Sequence, residues 1–146
     1  MVTCNLPIER IFVYGTLQRG QVRARHWPRQ PLAVEPAWTL GSLYDLGPYP
    51  ALVEGNDRVL GELWQLAAED LPETLRVLDR VEGFRDQPRD LYRRVVIECT
   101  TATGQITAAY TYRFARPLPA GASLIPPDSR GFCAWLNFHA ADDEVP

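Results

Sequence analysis

The chain has 146 residues, of which 46% are hydrophobic and 23% charged, and its formal net charge is −3 at pH 7. These values predict a single soluble globular domain over residues 1–146. A membrane-spanning helix is not expected, because it needs about 20 consecutive apolar residues and no run in this sequence approaches that length. The net charge disfavours nucleic acid as a partner, because nucleic-acid-binding proteins present a clustered basic face. With no basic and then apolar leader at its start, the chain is expected in the cytoplasm.

The sequence lacks several groups on which enzymes and metalloproteins rely. All 15 basic residues are arginine, which rules out a Schiff-base lysine and a phosphate-loop lysine. The cysteines and histidines do not cluster as metal ligands do, so we expect no metal and no cofactor. They are Cys4, Cys99, Cys133, His26 and His139. We expect free thiols in a reducing compartment, and we expect carboxylates, tyrosines, arginines and backbone amides to carry any catalysis.

The first half of the chain predicts β-strands. Residues 8–14 form an apolar and aromatic run that stops at Gly15, which is typical of a buried strand. Residues 18–36 are polar and rich in arginine, which predicts a solvated loop. Further strands are predicted at 38–46, 51–53 and 59–66, with turns at 47–50 and 54–57.

The second half predicts one helix followed by a hairpin. The helix is expected over residues 69–81, with Pro72 in its first turn, Asp70 and Glu73 resembling a capping box, and Gly83 ending it. Strands are predicted at 92–99 and 106–114, a turn at 101–105, and a last element of open type at 132–139. One helix among mostly antiparallel strands indicates an α+β fold with a barrel-like or strongly curved sheet.

The predicted helix ends in a carboxyl group on its apolar face. Leu71, Leu75 and Leu78 recur at helical spacing, and the next position of the same stripe is Glu82. Burial and the negative end of the helix dipole would both raise the pKa of this carboxyl. A carboxyl of raised pKa suits general acid/base catalysis. The alternative is a glutamate at a frayed helix end that points to water.

A second candidate site follows the first predicted strand, at Tyr14, Gly15, Thr16 and Leu17. Gly15 allows a backbone turn closed to other residues and a close approach of a ligand to the main chain. Successive N–H groups in such a turn can bind a carboxylate or an oxyanion. The alternative is an ordinary turn at the end of a strand.

Further candidates lie in the strands. Tyr92 and Arg94 alternate on one face of a strand, where they offer a hydroxyl and a cation to a carboxylate ligand or merely face solvent. Glu62 is a possible second carboxylate, and a hydrogen-bonded structural role is its alternative reading.

Five short motifs occur in a fixed order along the chain. They are FVYGTL with RG at 12–20, GSLYDLG with YPALV at 41–53, VLGELW at 59–64, LDRVEG at 78–83 and YRR at 92–94. Together they resemble the γ-glutamylcyclotransferase-like superfamily, which includes γ-glutamylaminecyclotransferases and plant AIG2-like proteins. The resemblance covers about residues 10–114.

This resemblance implies a fold, a reaction and a site. The fold would be a small mixed, mostly antiparallel β-barrel with one main helix and a central cavity. The reaction would cyclise a small γ-glutamyl compound to 5-oxoproline and release an amine, without metal or cofactor. The implied acid/base is Glu82, and the implied substrate-binding residues are Tyr14, Gly15, Thr16, Leu17 and Tyr92. Many relatives carry an Asn-His pair where this chain reads VRARH at 22–26, so its cavity mouth is expected to differ.

Two functions of other classes remain as alternatives. One is a non-catalytic module that binds a small molecule or a protein on the same fold. The other is an interaction domain that docks a partner through the arginine-rich loop at 19–29. The carboxyl at the end of an apolar stripe favours the enzyme, and the leaving amine and the oligomeric state stay open.

Overall fold

The computed structural model describes residues 7–135. The long strands and the helix are β1 Arg10–Val13, β2 Ala33–Asp45, β3 Pro50–Gln65, α1 Leu71–Glu82, β4 Tyr92–Thr101 and β5 Ile106–Phe114. Two short strands follow, β6 Ser123–Leu124 and β7 Phe132–Cys133, and short 3₁₀ turns occupy Ala24–His26 and Ala68–Asp70. The rest of the last predicted element, residues 136–139, lies outside the described residues, as does Cys4.

The five long strands close into a barrel. Their order is β2-β4-β5-β1-β3, and β3 pairs again with β2. All pairs are antiparallel except β1 with β5, which is parallel. Closure leaves few unpaired strand edges. The predicted fold class is confirmed: an α+β fold with a small mixed, mostly antiparallel barrel and one main helix.

Strands β2 and β3 are longer than the sequence pattern predicted. Residues 54–57 do not form a turn, because β3 runs through them without a break. Between Gly41 and Ser42 the register shifts, so that Gly41 pairs with Asp57 and Ser42 with Val53. The polar, glycine-containing stretch therefore marks a bulge in a continuous strand.

The capping box predicted at the start of α1 is wrong. Asp70 has helical backbone angles, with φ of −90° and ψ of −13°, and its side chain caps no amide. The 3₁₀ turn before it leads directly into the helix, so Asp70 cannot take the extended conformation of an N-cap. The carboxylates of Asp70 and Glu73 both pair with Arg29 instead.

The end of α1 is as predicted. Gly83 has φ of 72°, the left-handed conformation that glycine adopts without strain. Its amide donates to the Arg80 carbonyl at 3.2 Å, and the Phe84 amide donates to the Asp79 carbonyl at 2.8 Å. These bonds end the helix directly after Glu82.

Strand β1 is buried on both faces and joins two apolar clusters. Phe12 packs in one cluster, with Leu43, Leu63 and other barrel residues. Its neighbours Ile11 and Val13 point the opposite way, into the cluster that contains the helix residues Leu71, Leu75 and Leu78. The helix thus covers the barrel next to β1. No helix within residues 7–135 is long and apolar enough to cross a membrane.

Replacing Gly61 by alanine tests how tightly β1 and β3 approach. A methyl group at this position would lie 2.3 Å from the Val13 carbonyl oxygen and 2.7 Å from Cζ of Phe12. We expect Gly61→Ala to lower the free energy of unfolding by about 1–3 kcal/mol, measured by urea denaturation. Gly121→Ala is the control, because no heavy atom lies within 4 Å of its added methyl group. Equal stability of the two variants would contradict the packing argument.

Candidate active site

A cavity of about 290 Å³ opens between the end of α1, the loop after β1 and the start of β4. All six residues predicted for the site border it: Tyr14, Gly15, Thr16, Leu17, Glu82 and Tyr92. Residues far apart in sequence thus meet at one cavity. The roles expected of them stay predictions.

The carboxyl group of Glu82 is largely shielded from water. Its side chain is only 10% exposed, and burial raises its pKa from the ordinary 4.5 to about 7. The guanidinium of Arg23, with Nη1 3.8 Å from Oε2 of Glu82, opposes this pKa shift in part. The raised pKa and its main expected cause, burial, are confirmed, and the contribution of the helix terminus stays a prediction. A carboxyl that titrates near pH 7 can both accept and return a proton.

Two buried tyrosine hydroxyls surround this carboxyl group. Tyr14 donates to the carbonyl of Tyr112, and Tyr92 donates to the carbonyl of Pro50 at 2.7 Å. Burial and the nearby Glu82 charge raise the pKa of both phenols far above their ordinary value. Both therefore stay neutral, and their oxygens keep lone pairs that can accept a hydrogen bond from a ligand.

Position 15 requires glycine because a side chain there would clash with a neighbouring residue, and not because the backbone has an unusual conformation. The expectation of a turn closed to other residues is wrong: positive φ angles among described glycines occur only at Gly20, Gly47, Gly83, Gly104 and Gly131. A methyl group on Gly15 would lie 2.7 Å from Cγ and 2.9 Å from Cδ of Pro50. Since the carbonyl of Pro50 also accepts the Tyr92 hydroxyl, this close approach connects the loop with the tyrosine.

The loop after β1 uses its carbonyls for internal bonds. The Thr16 carbonyl accepts the amide of Arg23, and the Leu17 carbonyl accepts the indole N–H of Trp27, each at 2.9 Å. Within residues 7–135, the amides of Gly15, Thr16 and Leu17 donate to no protein acceptor. Three consecutive N–H groups therefore remain for an anionic ligand group.

Two other candidates lie elsewhere. Oε1 of Glu62 accepts the Arg19 amide at 2.9 Å and the Trp64 indole at 3.1 Å, so Glu62 has the structural role that was its alternative. Arg94 does not line the cavity with Tyr92. It donates to Asp79 at 2.6 Å instead.

Sequence reasoning missed Asp79, one turn before Glu82. Its Oδ1 accepts the Tyr112 hydroxyl and its Oδ2 accepts Arg94, both at 2.6 Å. These bonds attach the last turn of α1 to β4 and β5, which orients Glu82 towards the cavity. The available signal was that Asp79 lies three residues before Glu82, since helix residues three apart share a face.

Arg23 was also missed, because its segment was read as a solvated loop. The bond from its amide to Thr16 brings it to the cavity wall, beside Glu82. The signal was the departure from the family pattern at residues 22–26. Within residues 7–135, no group of three or more His, Cys, Asp or Glu residues could hold a metal ion.

The fold agrees with comparisons to known proteins. Residues 11–130 match the family described as "Gamma-glutamyl cyclotransferase, AIG2-like". The chain belongs to this family, as its five motifs predicted.

Named relatives come from bacteria and a mammal. The chain is 33% identical over 110 residues to the gamma-L-glutamyl-butirosin B gamma-glutamyl cyclotransferase of Niallia circulans, a match that covers 73% of this chain and 67% of that one. A gamma-glutamylcyclotransferase family protein of Citrobacter rodentium is 32% identical over 80% of this chain and 90% of its own. The crystal structure of an AIG2-like protein of Mus musculus superposes with a TM-score of 0.62 at 25% identity, covering 78% of this chain and 82% of that chain.

Glu82 makes stability depend on pH in a direction that can be checked. Its folded-state pKa of about 7 lies above the unfolded value, so the folded state binds the proton more tightly than the unfolded state does. Protonation of Glu82 therefore stabilises the fold at low pH, and this stabilisation is lost as pH rises from about 4.5 to 7. The full effect is about 3 kcal/mol. We expect Glu82→Gln to gain stability over the wild type on going from about pH 5 to about pH 8, in urea denaturation.

The matched control for this titration is Glu98→Gln, which replaces an exposed carboxyl on β4. Because this side chain is exposed, the variant controls for the loss of a carboxyl group as such. NMR titration of the Glu82 carboxyl carbon gives the direct value, and a pKa below the ordinary range would show a structural ion pair instead.

Gly15→Ala tests whether space or backbone conformation requires the glycine. The added methyl group must displace the Pro50 ring, so we expect a loss of about 1–3 kcal/mol in the free energy of unfolding. A Pro50→Ala background removes the ring atoms and should relieve most of this loss in a double-mutant cycle. Additive losses would show that contact with Pro50 is not the cause.

Proposed function

We propose that this protein is an enzyme that cyclises a small γ-glutamyl compound to 5-oxoproline and releases an amine, with Glu82 as general acid/base. The single observation that carries the proposal is the buried Glu82 carboxyl with a pKa of about 7 at a cavity whose loop offers three amides. Relatives named as gamma-glutamyl cyclotransferases support an enzyme of the cyclotransferase type.

The proposed reaction is an intramolecular aminolysis. The neutral α-amino nitrogen attacks the γ-carbonyl carbon, a new C–N bond closes the five-membered ring, and the original amide C–N bond breaks. The proton lost by the attacking nitrogen passes to the Glu82 carboxylate and then to the leaving nitrogen. The atoms of the two products together are those of the substrate, so no water or co-reactant is consumed. Because both reacting groups belong to one molecule, the enzyme has only to hold the reactive conformer and to move one proton.

The other predicted residues take binding roles in this scheme. The amides of Gly15, Thr16 and Leu17 bind the α-carboxylate or the oxyanion that develops on the γ-carbonyl. The hydroxyl oxygen of Tyr92 accepts a hydrogen bond from the substrate amine. The buried rings of Tyr14 and Tyr92 exclude water, which strengthens each of these polar interactions.

The main alternative is a non-catalytic binding module on the same fold. Burying an ionisable carboxyl in a partly apolar wall is unfavourable. Binding a neutral part of a ligand does not require it, whereas proton transfer does. The enzyme therefore accounts better for Glu82.

Glu82→Gln tests the proton carrier directly. Glutamine is nearly isosteric but cannot exchange a proton near neutral pH, so we expect kcat to fall by about 10²–10⁴ while substrate binding is largely retained. The assay is 5-oxoproline release from γ-glutamyl amines, γ-glutamyl amino acids and glutathione. Wild-type kcat/KM should fall below about pH 7, where the carboxyl becomes protonated and can no longer accept the proton.

Glu98→Gln should retain wild-type activity, because its side chain is exposed and does not line the cavity. Full activity of Glu82→Gln on a substrate that the wild type converts would place the proton carrier elsewhere. Binding of γ-glutamyl compounds without any turnover by the wild type would instead favour the non-catalytic module.

A further inference from the structure

Arg23 borders the cavity, and its backbone is bonded to the loop after β1. Its own amide donates to the Thr16 carbonyl at 2.9 Å, and a 3₁₀ turn begins at the next residue. The same loop carries the amides of Gly15, Thr16 and Leu17, which bind the α-carboxylate in the proposed reaction.

The guanidinium of Arg23 has hydrogen-bonding capacity that the protein leaves unused. Its nearest carboxylate, Glu82, is 3.8 Å from Nη1, beyond hydrogen-bond distance. Within residues 7–135 the guanidinium donates no hydrogen bond, and the ion pair with Glu82 is its one polar contact. Since the pKa of Glu82 is about 7, this partner is only partly ionised at neutral pH. A planar cation with free donors suits a bidentate carboxylate.

The exposed fractions of the lining residues distinguish a closed end of the cavity from a more exposed end that carries arginines. Tyr14 and Tyr92 are each 6% exposed, the Glu82 side chain is 10% exposed, and the Arg23 side chain is 37% exposed. Arg80, which also borders the cavity, is exposed. We therefore place the ring that forms at the closed end, and the leaving amine on the exposed side, where the cavity lining includes these two arginines.

Distance then connects Arg23 with the leaving group. Glu82 must come within about 3 Å of the leaving nitrogen to return its proton. A carboxylate on the carbon next to that nitrogen is two bonds away from it. Because Nη1 of Arg23 lies 3.8 Å from the Glu82 carboxyl, such a carboxylate comes within its reach.

We infer that Arg23 is a specificity-determining residue that selects γ-glutamyl compounds whose leaving amine carries a carboxylate beside the scissile nitrogen. Amines that carry an additional positive charge are disfavoured by the same cation. The inference rests on the proposed cyclisation and adds the chemical class of the leaving group to it.

The test compares two compounds that differ only in this charge, γ-glutamyl-alanine and γ-glutamyl-alaninamide. Wild-type kcat/KM should favour the carboxylate by about tenfold or more, as expected for hydrogen bonds to a charged group. Arg23→Gln should reduce this ratio to near one, mainly through KM of γ-glutamyl-alanine. Any change in the Glu82 pKa acts on both compounds and cancels in the ratio.

Two further variants separate charge recognition from folding. Arg25→Gln removes the same charge two residues away, on an exposed side chain outside the cavity, and should leave the ratio unchanged. Arg23→Lys retains the charge and should keep part of the preference. The inference would be overturned if Arg23→Gln left the ratio of the two kcat/KM values unchanged, including through an equal loss for both compounds. Arg23 would then bind the α-carboxylate or stabilise the fold instead.

Equilibrium binding distinguishes failure of the inference from failure of the proposed reaction. Calorimetric titration of both compounds into Glu82→Gln, with and without Arg23→Gln, measures the preference without turnover. An Arg23-dependent preference in binding, combined with no 5-oxoproline from the wild type, would refute the cyclisation and uphold the selectivity. No binding of either compound would refute both.

Discussion

The burial of one carboxyl group, that of Glu82, is the constraint on which the rest of the site depends. Its ionised form is disfavoured by about 3 kcal/mol relative to a free glutamate, so the surrounding structure must hold it in place. The leucine stripe of α1 supplies the packing, with Leu78 fully buried. Asp79 attaches the last turn to the barrel through Tyr112 and Arg94. Gly83 ends the helix directly after Glu82, which leaves this residue at the helix end beside the cavity.

The closed barrel brings the other groups to this carboxyl. Strand β1 pairs with both β3 and β5, and the loop that follows it borders the same cavity as the end of α1. The contact of Gly15 with Pro50 and the bond from Tyr92 to Pro50 join this loop to β3 and β4. Pro50 thus connects two segments of the cavity wall that are almost eighty positions apart in sequence.

The ionisable groups at the cavity differ between its interior and its mouth. The interior holds neutral phenols and a carboxyl of raised pKa, whereas the mouth holds arginines. The Arg23 guanidinium partly opposes the rise in the Glu82 pKa that burial causes. In the proposed reaction this one cation acts on both the proton carrier and the leaving group.

The sequence by itself determined the elements whose signals are local. The spacing of Leu71, Leu75 and Leu78 identified both the buried helix face and Glu82, because helical geometry alone decides which side chains share a face. Gly83 marked the helix end for an equally local reason, and the ordered motifs identified the family. The tertiary structure alone decided the partners of Arg23 and Asp79, the bulge that makes β3 continuous, and the steric reason for Gly15. Each of these depends on which distant segments meet when the barrel closes, and the pattern of neighbouring residues does not encode that.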